Sequence, residues 1–242
     1  MAGHSKWAKV KRAKGALDVK RGRIFAKLAK EIAIAAKIAG GDPDLNPRLR
    51  MVLFKCRGAN MPSDNIDRAI KKGTGGGELA VFEDLTYEVY GPHGVALLVE
   101  MSTDNRNRTA ADVRIILTKN GGTLATAGSV SRLFQRKGQM IISREAANED
   151  QLMEIALEAG ADDFKAEDDS YEILTEPSRF ELVHKEMEAK GIKCDAAEVT
   201  SLPTLTVPIS DPGDIDAVNK LIDAFEDNDD VKEVYCNAQF AD

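Results

Sequence analysis

The charges of this chain are distributed so unevenly that one evenly mixed core is an improbable outcome. The chain has 242 residues with 33 Lys+Arg and 40 Asp+Glu. Residues 1–77 hold 18 of the cations against 6 acids, a net +12, whereas residues 78–242 hold 15 against 34, a net −19. A chain this asymmetric is read in pieces, and a basic end on an acidic body suits a polyanion partner. The other reading is that the basic end docks on the acidic body of its own chain. At the change of sign lies Gly73-Thr74-Gly75-Gly76-Gly77, which reads as a hinge.

Within the basic part the apolar spacing is helical. Ile24, Phe25, Leu28, Ala29, Ile32, Ala35, Ala36 and Ala39 share one arc, with Lys27, Lys30 and Lys37 opposite. Gly40-Gly41 ends that helix. Asn46-Pro47 then supplies an N-cap and a first-turn proline for a helix presenting Leu49, Val52, Leu53 and Cys56 to a core. Asn60-Met61-Pro62 breaks it. Ser63-Asp64 is expected to cap a third helix carrying Ile66, Ala69 and Ile70, closed by Lys71-Lys72 and Gly73.

Beyond the glycines the period changes. Leu85–Tyr90 and Val95–Met101 read as strands joined by Gly91-Pro92-His93-Gly94, and a helix burying Val113, Ile116 and Leu117 follows. From Met140 the order is strand, helix, strand, strand, helix, strand, ending near Ser201: the split βαβ, or ferredoxin-like, arrangement. A strand at Leu205–Ile209, a helix at Ile215–Phe225 and a strand at Val231–Asn237 would complete the sheet begun by residues 85–119. The expected fold is therefore α+β with three domains. These are a basic helical domain at 1–77, an α/β domain at 78–132 plus 203–242, and an inserted ferredoxin-like βαββαβ domain at 133–202.

The candidate nucleic-acid-binding residues lie mostly at the N-terminus. Lys6, Lys9, Lys11, Arg12 and Lys14 surround Trp7, the single tryptophan, and Lys20, Arg21 and Arg23 continue the run. Cations at this density neutralise phosphates and release counterions, giving affinity with little base information. Trp7 either stacks on an exposed base or plugs the helical core. Arg48, Arg50, Lys55 and Arg57 before Asn60-Met61-Pro62 resemble a helix-turn-helix. That arrangement would push Asp64 and Asp67 of the next helix toward phosphates, so backbone contact by the basic arm is the better reading. Arg106 and Arg108 stand in Ser102-Thr103-Asp104-Asn105-Arg106-Asn107-Arg108-Thr109 at a strand-to-helix junction. They are either paired parts of an elaborate helix cap or a second nucleic-acid contact.

Catalytic chemistry finds no footing in the sequence. His4, His93 and His184 lack metal-ligand or triad spacing. Gly73–Gly77 follows a helix, not a strand, so it is neither a P-loop nor a dinucleotide fingerprint. The acidic runs Asp162-Asp163, Glu167-Asp168-Asp169 and Glu226–Asp230 read as turns and solvated faces. No enzyme activity, cofactor or metal is expected. No apolar run approaches the length of a membrane span, so no membrane partner is expected. Three widely spaced cysteines (Cys56, Cys194, Cys236) suit a reducing compartment.

Taken together, Ala2-Gly3-His4-Ser5-Lys6-Trp7, Gly40-Gly41-Asp42-Pro43 with Asn46 and Leu49-Arg50, Asn60-Met61-Pro62 and Thr103–Thr109 resemble the YebC family over essentially the whole chain. The resemblance implies a three-domain bacterial cytoplasmic protein, labelled as a DNA-binding transcriptional regulator. Related members, including a mitochondrial translational activator of cytochrome oxidase, act on the ribosome, and some assist translation of proline-rich stretches. The expectation is a monomeric, non-enzymatic regulator of gene expression whose partner is nucleic acid. That partner is DNA, or alternatively ribosomal RNA within the ribosome.

Overall fold

The computed structural model describes residues 18–76 and 81–240, with side chains from residue 22 onward. Its elements begin with helices α1 (Asp18–Ala39), α2 (Pro47–Gly58) and α3 (Ser63–Thr74), followed by β1 (Glu83–Tyr90), β2 (Ala96–Thr103), α4 (Arg106–Lys119) and β3 (Thr123–Leu124). There follow β4 (Phe134–Ser143), α5 (Glu149–Ala159), β5 (Asp163–Ala166), β6 (Ser170–Thr175), α6 (Phe180–Ala189) and β7 (Ala196–Pro203). The last are β8 (Val207–Ile209), α7 (Pro212–Glu226), β9 (Val231–Cys236) and β10 (Ala238–Phe240). Two compact units result: one contains 18–76 and 136–200, the other 81–135 and 201–240.

In the first unit, the helical stripe read from the sequence does become a core. Leu28, Ile32 and Ala35 of α1 meet Leu49, Val52 and Cys56 of α2 and Ala69 of α3. The ends of the α1 arc stay outside: Ile24 is 41% exposed and Ala39 is exposed. Asn46 is buried and fully used. Its Oδ1 accepts the Leu49 N–H at 3.0 Å, capping α2, while its Nδ2 donates to the Ala35 and Gly40 carbonyls, each at 2.8 Å. One amide thus satisfies orphan groups at the end of α1 and the start of α2.

Two local expectations for α3 fail. Ser63 is its first helical residue rather than its cap; the cap position is Pro62, with no side-chain bond. Gly73 does not end the helix but lies buried inside its last turn, which runs to Thr74. The reason is steric. A Cβ at Gly73 would stand 2.5 Å from the Ala33 carbonyl oxygen and 2.7 Å from the Ala36 Cβ, so α3 approaches α1 closely only because that atom is missing. The hinge reading therefore loses Gly73 and Thr74 to α3, leaving Gly75 and Gly76 beyond it among the described residues.

The α2 helix has a second occupied side. Phe54 sets its ring edge-on to Phe180 (5.6 Å, 77°) and His184 (5.0 Å, 79°) of α6, and Arg50 Nε meets Glu181 Oε1 at 2.5 Å. Arg50 also donates to the carbonyls of Pro43 and Asp44, and Arg57 lies over the Phe54 ring. Two of the cations that suggested a helix-turn-helix are thus engaged within the unit. Burial lowers the His184 pKa; Glu188 opposes the shift and Arg57 adds to it.

Strands β4–β7 carry the ferredoxin-like arrangement, as expected, in the order β5-β6-β4-β7. Antiparallel pairing sets Met140 against Ile173 and Ile142 against Tyr171. Alternate residues Met140 and Ile142, with Tyr171 and Ile173, face Leu152, Ala156, Phe180, Val183 and Met187. Strand β4 starts at Phe134, earlier than the expected Met140. Cys194 beside this core is pushed up to about 12 by burial and the nearby acids Glu188 and Asp195. Cys56 is raised to about 11, by burial first and Glu31 second.

The second unit has a four-stranded sheet in the order β3-β1-β2-β9. Residues Val89, Leu97, Val99 and Met101 form a core with Val113 and Leu117 of α4 and Val218, Leu221 and Phe225 of α7. Strand β8 does not join that sheet, contrary to the sequence reading. It pairs in parallel with β10, Val207 opposite Ala238 and Ile209 opposite Phe240. Pro208, lacking an N–H, is poorly suited to an interior strand. Buried Asn237 makes the switch between sheets: it exchanges two hydrogen bonds with Ala96, and its carbonyl accepts the Val207 N–H at 2.8 Å.

Two measurements test this packing. Gly73→Ala should destabilise the first unit by roughly 1–3 kcal/mol through overpacking. Gly22→Ala, where no described residue lies within 4 Å, should instead stabilise it by about 0.5–1 kcal/mol from helix propensity. Urea midpoints of both variants check the opposite signs. For His184, the folded pKa lies below the unfolded value of 6.5. The unfolded chain therefore takes up the proton first, and stability falls as pH drops below about 6.5 until the folded pKa is passed. His184→Phe should flatten that part of the stability–pH curve relative to the parent.

Candidate nucleic-acid interface

Of the cations singled out in the sequence, Lys6, Lys9, Lys11, Arg12 and Lys14, with Trp7, lie outside the described residues. Lys20 and Arg21 fall in the first turn of α1, and their side chains are outside the described set as well. Arg23, on the same helix, is exposed. Lys71 and Lys72 at the end of α3 are exposed and form no ion pair with any described residue. In the sequence they serve only as a helix-ending signal.

In the second unit, Arg106 and Arg108 follow a cap. Asn105 Oδ1 accepts the Arg108 N–H at 3.1 Å, starting α4 immediately after β2. Arg106 reaches Glu83 at 3.5 Å with two thirds of its side chain exposed. Arg108 is committed inward: its Nη2 donates to Asp104 Oδ1 at 2.8 Å, Asp230 Oδ2 at 2.9 Å and Thr103 Oγ1 at 3.3 Å. These partners hold the Arg108 pKa above its ordinary value, the Asp230 hydrogen bond most of all.

Asp230 corrects another expectation. The run Glu226–Asp230 reads as solvated, yet Asp230 is 6% exposed. Its Oδ2 also accepts the Thr109 hydroxyl at 2.9 Å, and its carbonyl accepts the Ser102 N–H at 2.7 Å. The Thr103 Oγ1 lies 2.8 Å from the same Thr109 hydroxyl. The motif Thr103–Thr109 therefore ties the end of β2, the start of α4 and the entry to β9 into one polar knot. A sequence signal for this existed only in the density of capping residues, because Asp230 lies 121 positions from its hydroxyl partner.

Sequence reasoning missed two further cations on α4. Arg114 and Lys119 are exposed and make no side-chain ion pair or hydrogen bond with a described residue. Among the described residues no His, Cys, Asp or Glu cluster could hold a metal ion, and no helix is long and apolar enough to cross a membrane.

This architecture defines an α+β protein with a basic helical N-terminal segment, and known proteins share it. Residues 5–76 match the family model described as the TACO1/YebC protein N-terminal domain, and residues 82–238 match that of the TACO1/YebC second and third domain. The chain belongs to the TACO1/YebC family. It is 51% identical over 237 residues to a probable transcriptional regulatory protein of Geobacter sp. (strain M21), covering 98% of this chain and 95% of that one. A protein of Geobacillus kaustophilus with the same description is 52% identical over 239 residues, covering 98% and 97%. The crystal structure of a conserved hypothetical protein from Aquifex aeolicus superposes with a TM-score of 0.80 at 41% identity, covering 94% of each chain.

Both ends of the Arg108–Asp230 bond should matter to stability. Asp230→Ala removes the acceptor shared by the Arg108 guanidinium and the Thr109 hydroxyl and should destabilise the second unit by about 1–3 kcal/mol. Arg108→Ala leaves the buried Asp230 carboxylate without that bond and should cost at least as much. Denaturant unfolding of the two variants gives the comparison.

Proposed function

We propose that this protein is a non-enzymatic regulator of gene expression that binds nucleic acid through its basic N-terminal segment, as a DNA-binding transcriptional regulator. The observation that carries the reading is the charge of residues 1–77: 18 Lys+Arg with 6 Asp+Glu leaves most cations without an acid of their own segment. Such a segment gains affinity by releasing counterions from a phosphate backbone. The described relatives bear the name probable transcriptional regulatory protein, which supports the same class.

A second reading, a ribosome-associated translation factor binding ribosomal RNA, is favoured by how poorly α2 and α3 suit a recognition role. The N-terminus of α3 exposes Asp64 and Asp67, and one side of α2 is taken by α6. A protein that grips phosphates without entering the major groove reads shape, which suits structured RNA.

The test is a salt titration of binding, with Lys9, Lys11, Arg12 and Lys14 changed together to Ala. About six phosphate contacts give a slope of log K on log salt near −5, and the fourfold variant should flatten it to about −2. Its thermal midpoint should stay near that of the parent. Unchanged affinity in the variant would refute binding through the arm. Recovering the protein from lysate with promoter fragments or with ribosomes separates the two targets.

A further inference from the structure

The second unit is strongly acidic, yet one of its helices is not. Helix α4 carries Arg106, Arg108, Arg114 and Lys119 against Asp112, whereas α7 carries Asp214, Asp216, Asp223 and Glu226 against Lys220. Arg106 and Arg108 are paired at the start of α4, as described above. The remaining two cations are not. At 100° per residue, Asn107, Ala111, Arg114, Ile115 and Thr118 share the outward side of α4, opposite the buried Thr109, Val113 and Leu117, and Lys119 borders it. Those six residues are all exposed, and Asp112, half-buried, lies beside Lys119 at the border of the same side.

Lys119 has a simple structural reason to be there, since a cation in the last turn favours the helix dipole. Arg114 does not: it sits mid-helix, exposed, with no partner among the described residues. A long side chain held in water by neither packing nor pairing contributes little to stability. Asn107 adds a neutral group of the type that phosphate oxygens accept hydrogen bonds from, whereas the Thr118 hydroxyl donates to the Arg114 carbonyl at 2.8 Å.

We propose that the outward side of α4 is a second phosphate-contacting surface, with Arg114 and Lys119 each neutralising one backbone phosphate of a bound nucleic acid. This rests on the nucleic-acid reading above and adds a separate site to it. Charge selects the occupant: a net cationic helix within an acidic unit attracts a polyanion, while α7 in the same unit repels one. The contact carries no base readout, because both cations are flexible and nothing beside them fixes a bidentate geometry.

The experiment compares the full-length parent, the Arg114→Ala/Lys119→Ala variant and the Arg114→Lys/Lys119→Arg variant, on a short mixed-sequence duplex and on an RNA hairpin. Losing two contacts should flatten the slope on the duplex by about 1.8 and weaken binding on the order of tenfold at physiological salt. The charge-conserving variant should bind like the parent and keep its thermal midpoint, while the double-alanine variant should unfold within a few degrees of it, the loss of Lys119 at the helix end being small. A double-alanine variant with parental slope and affinity overturns the second surface while leaving the arm in place, even if that variant loses a protein partner. If the parent binds neither probe, the nucleic-acid reading itself falls, and this surface with it.

Discussion

A folded unit interrupted by another stretch of chain must hold the departing and returning strands together. Here the Leu133 carbonyl accepts both the N–H of Thr204, at 2.8 Å, and its hydroxyl, at 3.1 Å. Immediately beyond, β4 and β7 run as neighbours in one sheet. Closing a flexible loop of about 70 residues costs on the order of 4 kcal/mol by the (3/2)RT ln n scaling. An interruption whose own fold sets its two ends side by side removes most of that cost. The sheet of β1, β2 and β9 can therefore recruit strands from both sides of residues 136–200.

The parts of this fold that were readable in the sequence are those whose signals are local. The α1 stripe, the Asn46-Pro47 start of α2 and the β-α-β-β-α-β order all rest on spacing within about a dozen residues. What was not readable depended on distant partners. Gly73 has the sequence position of a helix stop, and only the approach of Ala33 and Ala36 makes it a packing residue. Strand β8 follows the rhythm of the preceding elements, but Asn237 and β10, at the far end of the chain, draw it into its own two-stranded sheet. The second side of α2 was hidden for the same reason: Phe54 is half-buried only because α6 supplies Phe180 and His184.

For the candidate interface, the sequence delivered charge and not availability. Arg50, Arg57 and Arg108 look alike as cations in the sequence, yet one bridges to Glu181, one lies over an aromatic ring and one closes the Asp230 knot. Lys71, Lys72, Arg114 and Lys119 have no such employment among the described residues. Solvation separates the two groups. A cation already bonded to a buried carboxylate must give up that bond to meet a phosphate, while an exposed one exchanges only water and counterions.

The pairing of β2 with β9 carries a consequence for synthesis. Leu97 stands opposite Cys236 and Val99 opposite Val234, partners separated by well over a hundred residues. At about 5–20 residues per second, a translating ribosome needs on the order of ten seconds to deliver β9 after β2 has emerged. During that interval the β1–β2 hairpin waits with one edge unpaired, while the stretch from β4 to β7 already has every strand and helix it requires. The interrupted unit is thus the last to close, and Leu97, Val99 and Met101 are the apolar groups that a nascent chain of this kind must keep from straying to other partners in the meantime.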